Sequence, residues 1–404
     1  MASQVAGVIL PWDGRVEGLG DGAGELPIWG GTLAGCAADA LTAAGLPITD
    51  LSIADPSAAD TISGEAIVVA GGCALRADAV RAALDAGRAE GTDQAFQLGG
   101  RAGELIASAA GGAPPGGLWY LAPGGSGPLL ERLEAAASAT LEPEERAVTV
   151  PFPGQPTEFP LSDRLFVPVR HWITGLWANL LGLGPYLWGA LLGASPVLAA
   201  LRGVGGVLRA RSADPERIAA ALTRRRAGAR IHHSAIVEAC VLGEGARVEA
   251  GAVVRGCVLG PGAVVEALAV CEGAVLGAGA LLQRQALFKF GVLGPGASFG
   301  GATQLSVLGS GAVLKLGAFG MDISLAGSVR VRFADRLVEA PLGMAGLCLG
   351  DRALVGSGVW VAPGRAIPPG VTAVADEVLV DPRCDGPGVY RVQSGGLVPV
   401  GGSS

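Results

Sequence analysis

Leu242-Gly-Glu-Gly-Ala246 returns as Leu259-Gly-Pro-Gly-Ala263, Leu276-Gly-Ala-Gly-Ala280, Leu293-Gly-Pro-Gly-Ala297 and Leu308-Gly-Ser-Gly-Ala312. The first three steps are 17 residues and the fourth is 15, and each leucine follows a valine: Val241, Val258, Val275, Val292 and Val307. Within one period an aliphatic residue also recurs at about six, as in Leu242, Val248, Val254 and Leu259. Such a period marks a repeat architecture in which each unit buries its apolar face on the next. Cys240 and Cys257 lie one period apart, and their column continues as Ala274, Gly291 and Ser306. The column selects small side chains, so we read both cysteines as packing residues rather than redox or metal groups.

The pattern resembles the hexapeptide repeat of left-handed parallel β-helices. There, three short strands make a triangular coil, an aliphatic side chain points inward from each flat side, and glycine takes corners where a Cβ would clash. The resemblance, which also supplies the handedness, implies coils from Ile231 to about Leu316. They resume at Leu349-Gly-Asp-Arg-Ala353 and close on Val361-Ala-Pro-Gly-Arg-Ala-Ile-Pro-Pro-Gly-Val371. Between them residues 317–348 lose the pattern and include Met321, Asp322, Arg330, Arg332 and Asp335. Two readings stand for this excursion, a binding loop and an irregular coil.

Composition sets the remaining bounds. The 404 residues include 67 glycines and are half apolar, only 16% charged and of net charge −7. Glycine has no three-residue period, which excludes collagen, and the apolar content argues against disorder. The length suits two domains. An acidic balance without a basic aromatic stripe gives no nucleic-acid footprint. The N-terminal stretch lacks a positive n-region, so it does not read as a signal peptide and a cytoplasmic location is expected. Seven cysteines without a CxxC pair provide neither a zinc nor a disulfide framework. Two lysines, Lys289 and Lys315, and three histidines, His171, His232 and His233, restrict the chemistry that can be proposed.

Residues 1–150 alternate short apolar runs with alanine-rich stretches, the pattern of an α/β layer fold. Strands are predicted at 5–10, 51–54, 66–70 and 118–121, and helices at 33–44, 78–90, 102–109 and 128–139, with Asp78 as an N-cap.

Val8-Ile-Leu-Pro-Trp-Asp-Gly-Arg15, then Leu26-Pro-Ile-Trp-Gly-Gly-Thr-Leu33, then Glu65-Ala-Ile-Val-Val-Ala-Gly-Gly-Cys73 resemble, in order, the sugar-1-phosphate nucleotidyltransferases. With the repeat behind them, they give the layout of the bifunctional N-acetylglucosamine-1-phosphate uridyltransferase/glucosamine-1-phosphate acetyltransferases. The resemblance implies a Rossmann-like, nucleotidyltransferase-like α/β domain at 1–160, an apolar connector and Arg-rich segment at 161–229, a β-helix at 230–380 and a tail at 381–404. It further implies a sugar phosphate or nucleotide as ligand, magnesium and acyl-CoA as cofactors, and a homotrimer. Asp13, Gly14 and Arg15 take the phosphate-loop positions, Arg15 is the candidate catalytic cation, and His233 is the candidate base of the acyltransferase half.

Departures from that family are as specific as the matches. Asp13-Gly14-Arg15 stands for a Gly-x-Gly-x-Arg loop, Pro27-Ile28 for Pro-Lys, and Gly71-Gly72-Cys73 for the metal-binding Gly-Asp. Asp55 is a substitute metal ligand or an Asp-Pro turn. The stretch 299–305, where the family carries its acyltransferase base, has no histidine. Phosphoryl chemistry needs cations on the phosphates, so a non-catalytic scaffold or regulatory homologue is the opposing reading.

From His171 to Leu201 there are 31 residues without Asp, Glu, Lys or Arg, followed by 202–230 with eight arginines against Asp214 and Glu216. Gly182, Gly184, Pro185, Gly189, Gly193 and Pro196 are expected to break the apolar stretch into two or three short helices. Three roles compete for it: buried connector, membrane-surface element with a basic neighbour, and true span.

Overall fold

The computed structural model describes residues 5–49, 62, 64–112, 116–152, 155–193, 195–334, 336–375, 390–393 and 396–400. The strand predicted at 51–54, Asp55, Asp335 and most of the tail lie outside these residues. What is described is an N-terminal α/β unit and a C-terminal left-handed parallel β-helix of about nine turns over 224–373.

The α/β unit runs β1 (Ala6–Ile9), α1 (Leu33–Ala43), β2 (Ile48–Thr49), β3 (Ala66–Val69), α2 (Ala77–Glu90), β4 (Gln94–Leu98), α3 (Gly100–Ala109), β5 (Leu118–Leu121), α4 (Leu129–Ala135) and β6 (Ala137–Leu141). Its sheet has the order β2-β1-β3-β5-β4-β6. Only β5 runs antiparallel to its neighbours. Thr32 caps α1 by accepting from the amide of Gly35, and Gly91 ends α2 at φ 69°. Two expectations are corrected. Arg76, not Asp78, occupies the N-cap of α2, and Asp78 instead pairs with Arg81 at 2.6 Å inside the first turn. The helix predicted to Ala139 stops at Ala135, because β4 offers Ala137–Leu141 a parallel ladder of five partners. That ladder outweighs alanine's small helical preference. A hairpin, β7 (Glu145–Phe152) and β8 (Gln155–Ser162), then leads to the connector.

The solenoid has three parallel sheets of eight, eight and seven strands. The first face carries the Val-Leu pairs, each stacked on its counterpart in the next coil, from Val241↔Val258 and Leu242↔Leu259 onward. Successive strand residues point to opposite sides, so the pair serves two cores. Leu242, Leu259, Leu276, Leu293 and Leu308 fill the solenoid interior. Val241, Val258, Val275, Val292 and Val307 point outward and join the core of the α/β unit. Their exposure falls from 9% at Val241 to 0% at Val292 and Val307. At about 2 kcal/mol per buried valine, the column contributes on the order of 10 kcal/mol to holding the two units together.

The connector is corrected in part: the apolar stretch breaks as expected at Gly193 and Pro196, where one helix ends and the next begins, but not at Gly182, Gly184, Pro185 or Gly189. Trp172–Leu191 is one continuous helix, α5, with Pro185 inside it. Gly182 and Gly184 are close contacts and not breaks. A Cβ at Gly182 would fall 2.3 Å from the Trp29 indole and one at Gly184 2.6 Å from Leu161. Asn179, buried, accepts from the Trp29 amide and donates to Pro27 O and Gly175 O. Fourteen of the twenty α5 residues are buried, as a packed connector requires. Two further helices follow, α6 (Pro196–Ala210) and α7 (Pro215–Leu222). Among the described residues no single helix is long and apolar enough to cross a membrane. The α5–α6 pair, bent by 76°, reaches that length and composition only together.

Candidate functional site at the junction of the two units

The loop after β1 lies at the carboxyl ends of β1 and β3, where open α/β sheets bind ligands. Asp13 Oδ1 accepts from the Arg15 amide at 3.0 Å, and Gly14 turns at φ 75°. The predicted triplet is thus a tight Asx-type turn. A cleft of about 670 Å³ opens beside it, walled by Trp12, Asp13, Arg15, Asp21 and Arg170 of the α/β unit and by Pro369 from the end of the solenoid.

Two of its charges pair with one another and a third is held by backbone carbonyls. Arg15 Nε lies 3.2 Å from Asp21 Oδ1, with both side chains more than 70% exposed, so the pair is weak and can exchange with solvent or ligand. Arg170 spans the Trp12 ring at 5.9 Å and donates to Gly71 O at 2.9 Å and Val169 O at 3.3 Å. Burial lowers its pKa from the ordinary arginine value.

Where the family's metal-binding Gly-Asp is expected, Trp12 fills the space. A Cβ on Gly71 would lie 2.4 Å from Leu10 O, and one on Gly72, at φ 65°, would lie 2.6 Å from the Trp12 ring. Among the described residues no cluster of three or more His, Cys, Asp or Glu side chains is placed to hold a metal ion.

The residue that sequence reasoning missed is Asp351. It is buried, and its carboxylate accepts from Gly22 N and Ser310 N, each at 2.8 Å. Its own amide donates to Leu19 O at 2.8 Å. The glycine-rich loop 18–22 therefore holds an anion that belongs to the chain. The signal was present in Leu349-Gly-Asp-Arg-Ala353, where the repeat's second glycine gives way to Arg352 at φ 57°.

The imidazoles lie elsewhere. His171 caps α5: Nδ1 accepts from Ile173 N, which leaves Nε2 to donate to Arg332 O at 3.0 Å, and the ring stacks on Phe333 at 3.9 Å. Both nitrogens are occupied, and burial lowers its pKa. His232 Nδ1 meets Ser234 Oγ at 2.8 Å, while His233, exposed, lies against His232 with ring centroids 4.2 Å apart. These two belong to the first coils and Pro369 to the last, so Arg15 and His233 do not form one site.

The excursion expected at 317–348 is shorter: Phe319–Gly320 still pairs within the solenoid and Cys348 opens the next coil, and the segment between them is a strap. It contains a hairpin, Arg330–Phe333 with Arg336–Glu339. Besides the His171 contacts, Glu17 accepts from Ala334 N at 2.6 Å and Arg336 donates to Gly111 O at 3.0 Å. Asp322 accepts from Gln304, and burial raises its pKa. The cysteine column stacks as expected, Cys257 N donating to Cys240 Sγ, and burial raises both thiols well above their ordinary range. Lys289 pairs with Glu272 at 2.7 Å in a cross-coil charge ladder with Arg255 and Glu238.

The fold places this chain among parallel β-helix proteins that carry an N-terminal α/β unit. No protein-family model matches the sequence, and no curated protein matches it. Among solved structures, the acetyltransferase domain of PglB from Neisseria gonorrhoeae is 16% identical, with 70% of this chain and 96% of that one covered at a TM-score of 0.13. A serine acetyltransferase from Entamoeba histolytica is 11% identical, with 53% and 64% covered at 0.12.

Proposed function

We propose that the protein is a hexapeptide-repeat transferase of the acyltransferase type, with the α/β unit serving as its docking body. The solenoid supports this reading: it supplies a rigid lattice with two faces that the α/β unit leaves uncovered. The donor is acyl-CoA, and the acceptor is an amine or hydroxyl of a small sugar-type molecule. His233 is the base. It takes the acceptor's proton, the acceptor nitrogen or oxygen bonds the acyl carbon, the thioester C–S bond breaks, and the proton passes to the departing thiolate. Outward positions such as Val264, Leu281, Leu287, Phe319 and Trp360 suit packing of three copies in a cytoplasmic trimer.

A non-catalytic scaffold is the second reading, favoured by the occupied nitrogens of His171 and by the placement of Asp351 on the Gly22 amide. Nucleotidyl transfer would have to work with Arg15 and without a carboxylate at Gly72. Acetyl-CoA turnover on a panel of amino sugars, read as free thiol, separates these readings. The proposal expects thiol release that His233→Ala abolishes. Its absence across the panel leaves the scaffold. Pyrophosphate release from UTP or dTTP with magnesium and a sugar-1-phosphate would restore the nucleotidyltransferase reading.

A further inference from the structure

Helix α6 is an apolar element that lies largely exposed. Ser195 caps it by accepting from Leu198 N, and Pro196 opens it. It rests on α7 through Gly206, the one fully buried residue along its length; a Cβ there would come within 3.0 Å of Leu222. On the opposite side Val197, Leu201, Val204 and Leu208 form a stripe at i, i+4, i+7 and i+11, each between 60% and 71% exposed. Scattered exposed aliphatics need no explanation, but a continuous stripe does. Trp188, in the last turn of α5, is 54% exposed just before this helix.

Charge identifies the occupant. Between Leu192 and Ala213 there are three arginines, Arg202, Arg209 and Arg211, and no acidic residue. Asp214 and Glu216 follow, Asp214 paired with Arg217 at 3.8 Å, and exposed Arg224, Arg225 and Arg226 then add three further positive charges, in a chain whose net charge is −7. A second copy of this face would set arginine against arginine. An aliphatic stripe flanked by arginines, with an exposed tryptophan in the preceding helix, instead matches an anionic bilayer: acyl chains take the stripe and headgroups pair with the guanidinium groups. We propose that α6 lies in the surface of an anionic membrane, with Val197, Leu201, Val204 and Leu208 at the acyl boundary and Arg202, Arg209 and Arg211 among the headgroups. Because α7 bonds the solenoid through Ala239 N and Ala219 O at 2.9 Å, the first coils stand next to that surface. The proposal is independent of the transferase reading.

Flotation of the full chain with vesicles tests it. The protein is expected to rise with equimolar phosphatidylcholine and phosphatidylglycerol, and to stay down with phosphatidylcholine alone or in high salt. Leu201→Glu/Leu208→Glu and, separately, Arg209→Glu/Arg211→Glu are expected to reduce the floated fraction about tenfold. All four side chains are largely exposed or solvent-facing, so circular dichroism and melting should not change. A protein that stays at the bottom overturns the proposal, as does equal flotation of all three forms. So does a larger species in solution that Leu201→Glu/Leu208→Glu converts to monomer, which would assign the stripe to a second copy.

Discussion

Asp351 and Gly22, 329 positions apart in sequence, are joined at 2.8 Å, carboxylate to amide. The same carboxylate holds Ser310 N, so one side chain closes the solenoid corner and docks the loop that follows β1. Hydrogen bonds to a charged group are worth about 1.5–3 kcal/mol each. Asp351→Ala should therefore cost about 3–5 kcal/mol in thermal or urea unfolding, and Asp351→Asn less. A Cβ on Gly22 would fall 2.5 Å from Asp351 Oδ2, so Gly22→Ala should also destabilise. The double variant should cost less than the sum, which a double-mutant cycle reads directly.

The outward valines predict a second result. Val292→Ala should cost about 2 kcal/mol, because Val292 has no exposed surface and its truncation opens a cavity. Val292→Asp leaves a buried charge without a partner. Calorimetry of Val292→Asp is expected to split one transition into two, the α/β unit melting before the solenoid.

Protonation of His171 supplies a third. Its pKa is lowered by burial in the folded chain, so below the ordinary value near 6.5 the unfolded chain binds more protons than the folded one. Its contribution is full above that value and is lost as pH falls from about 6.5 toward the folded pKa. The melting temperature should drop between pH 7.5 and 5.5. His171→Asn, which keeps an acceptor at the N-cap, should flatten that slope.

A fourth concerns the lost carboxylate. Gly72→Asp would place a Cβ 2.6 Å from the Trp12 ring at φ 65°. It should destabilise by more than about 2 kcal/mol and bind no magnesium by calorimetric titration. Trp12→Ala/Gly72→Asp relieves the overlap and should recover part of that loss.

The repeat made the solenoid legible down to individual columns, because period, corner glycine and inward leucine each have a single steric cause. The valine before each leucine was equally visible, yet its role was not, since a strand pattern does not say what lies on its outer side. Gly182 and Gly184 misled for a related reason. A glycine in a helix costs stability on its own, and only the Trp29 and Leu161 side chains show that it makes room. The Asp13–Arg15 turn was readable as a loop, whereas Asp351 was not, because its partner lies 329 positions away and no local rule connects them. Strand β4 escaped because Gln94, on its buried face, breaks the apolar alternation.

Repeat proteins ordinarily gain or lose whole units, since each coil contacts only its neighbours. Here the outward valines are clamped along a body of fixed size, and Asp351 must arrive opposite Gly22. Removing one coil would slide the later coils by one strand spacing, about 4.8 Å, which is more than the whole Asp351–Gly22 bond. The number of turns between Val241 and Asp351 is therefore set by the partner unit and is not free to drift. Growth or trimming of this solenoid is confined to positions outside the span from Val241 to Asp351.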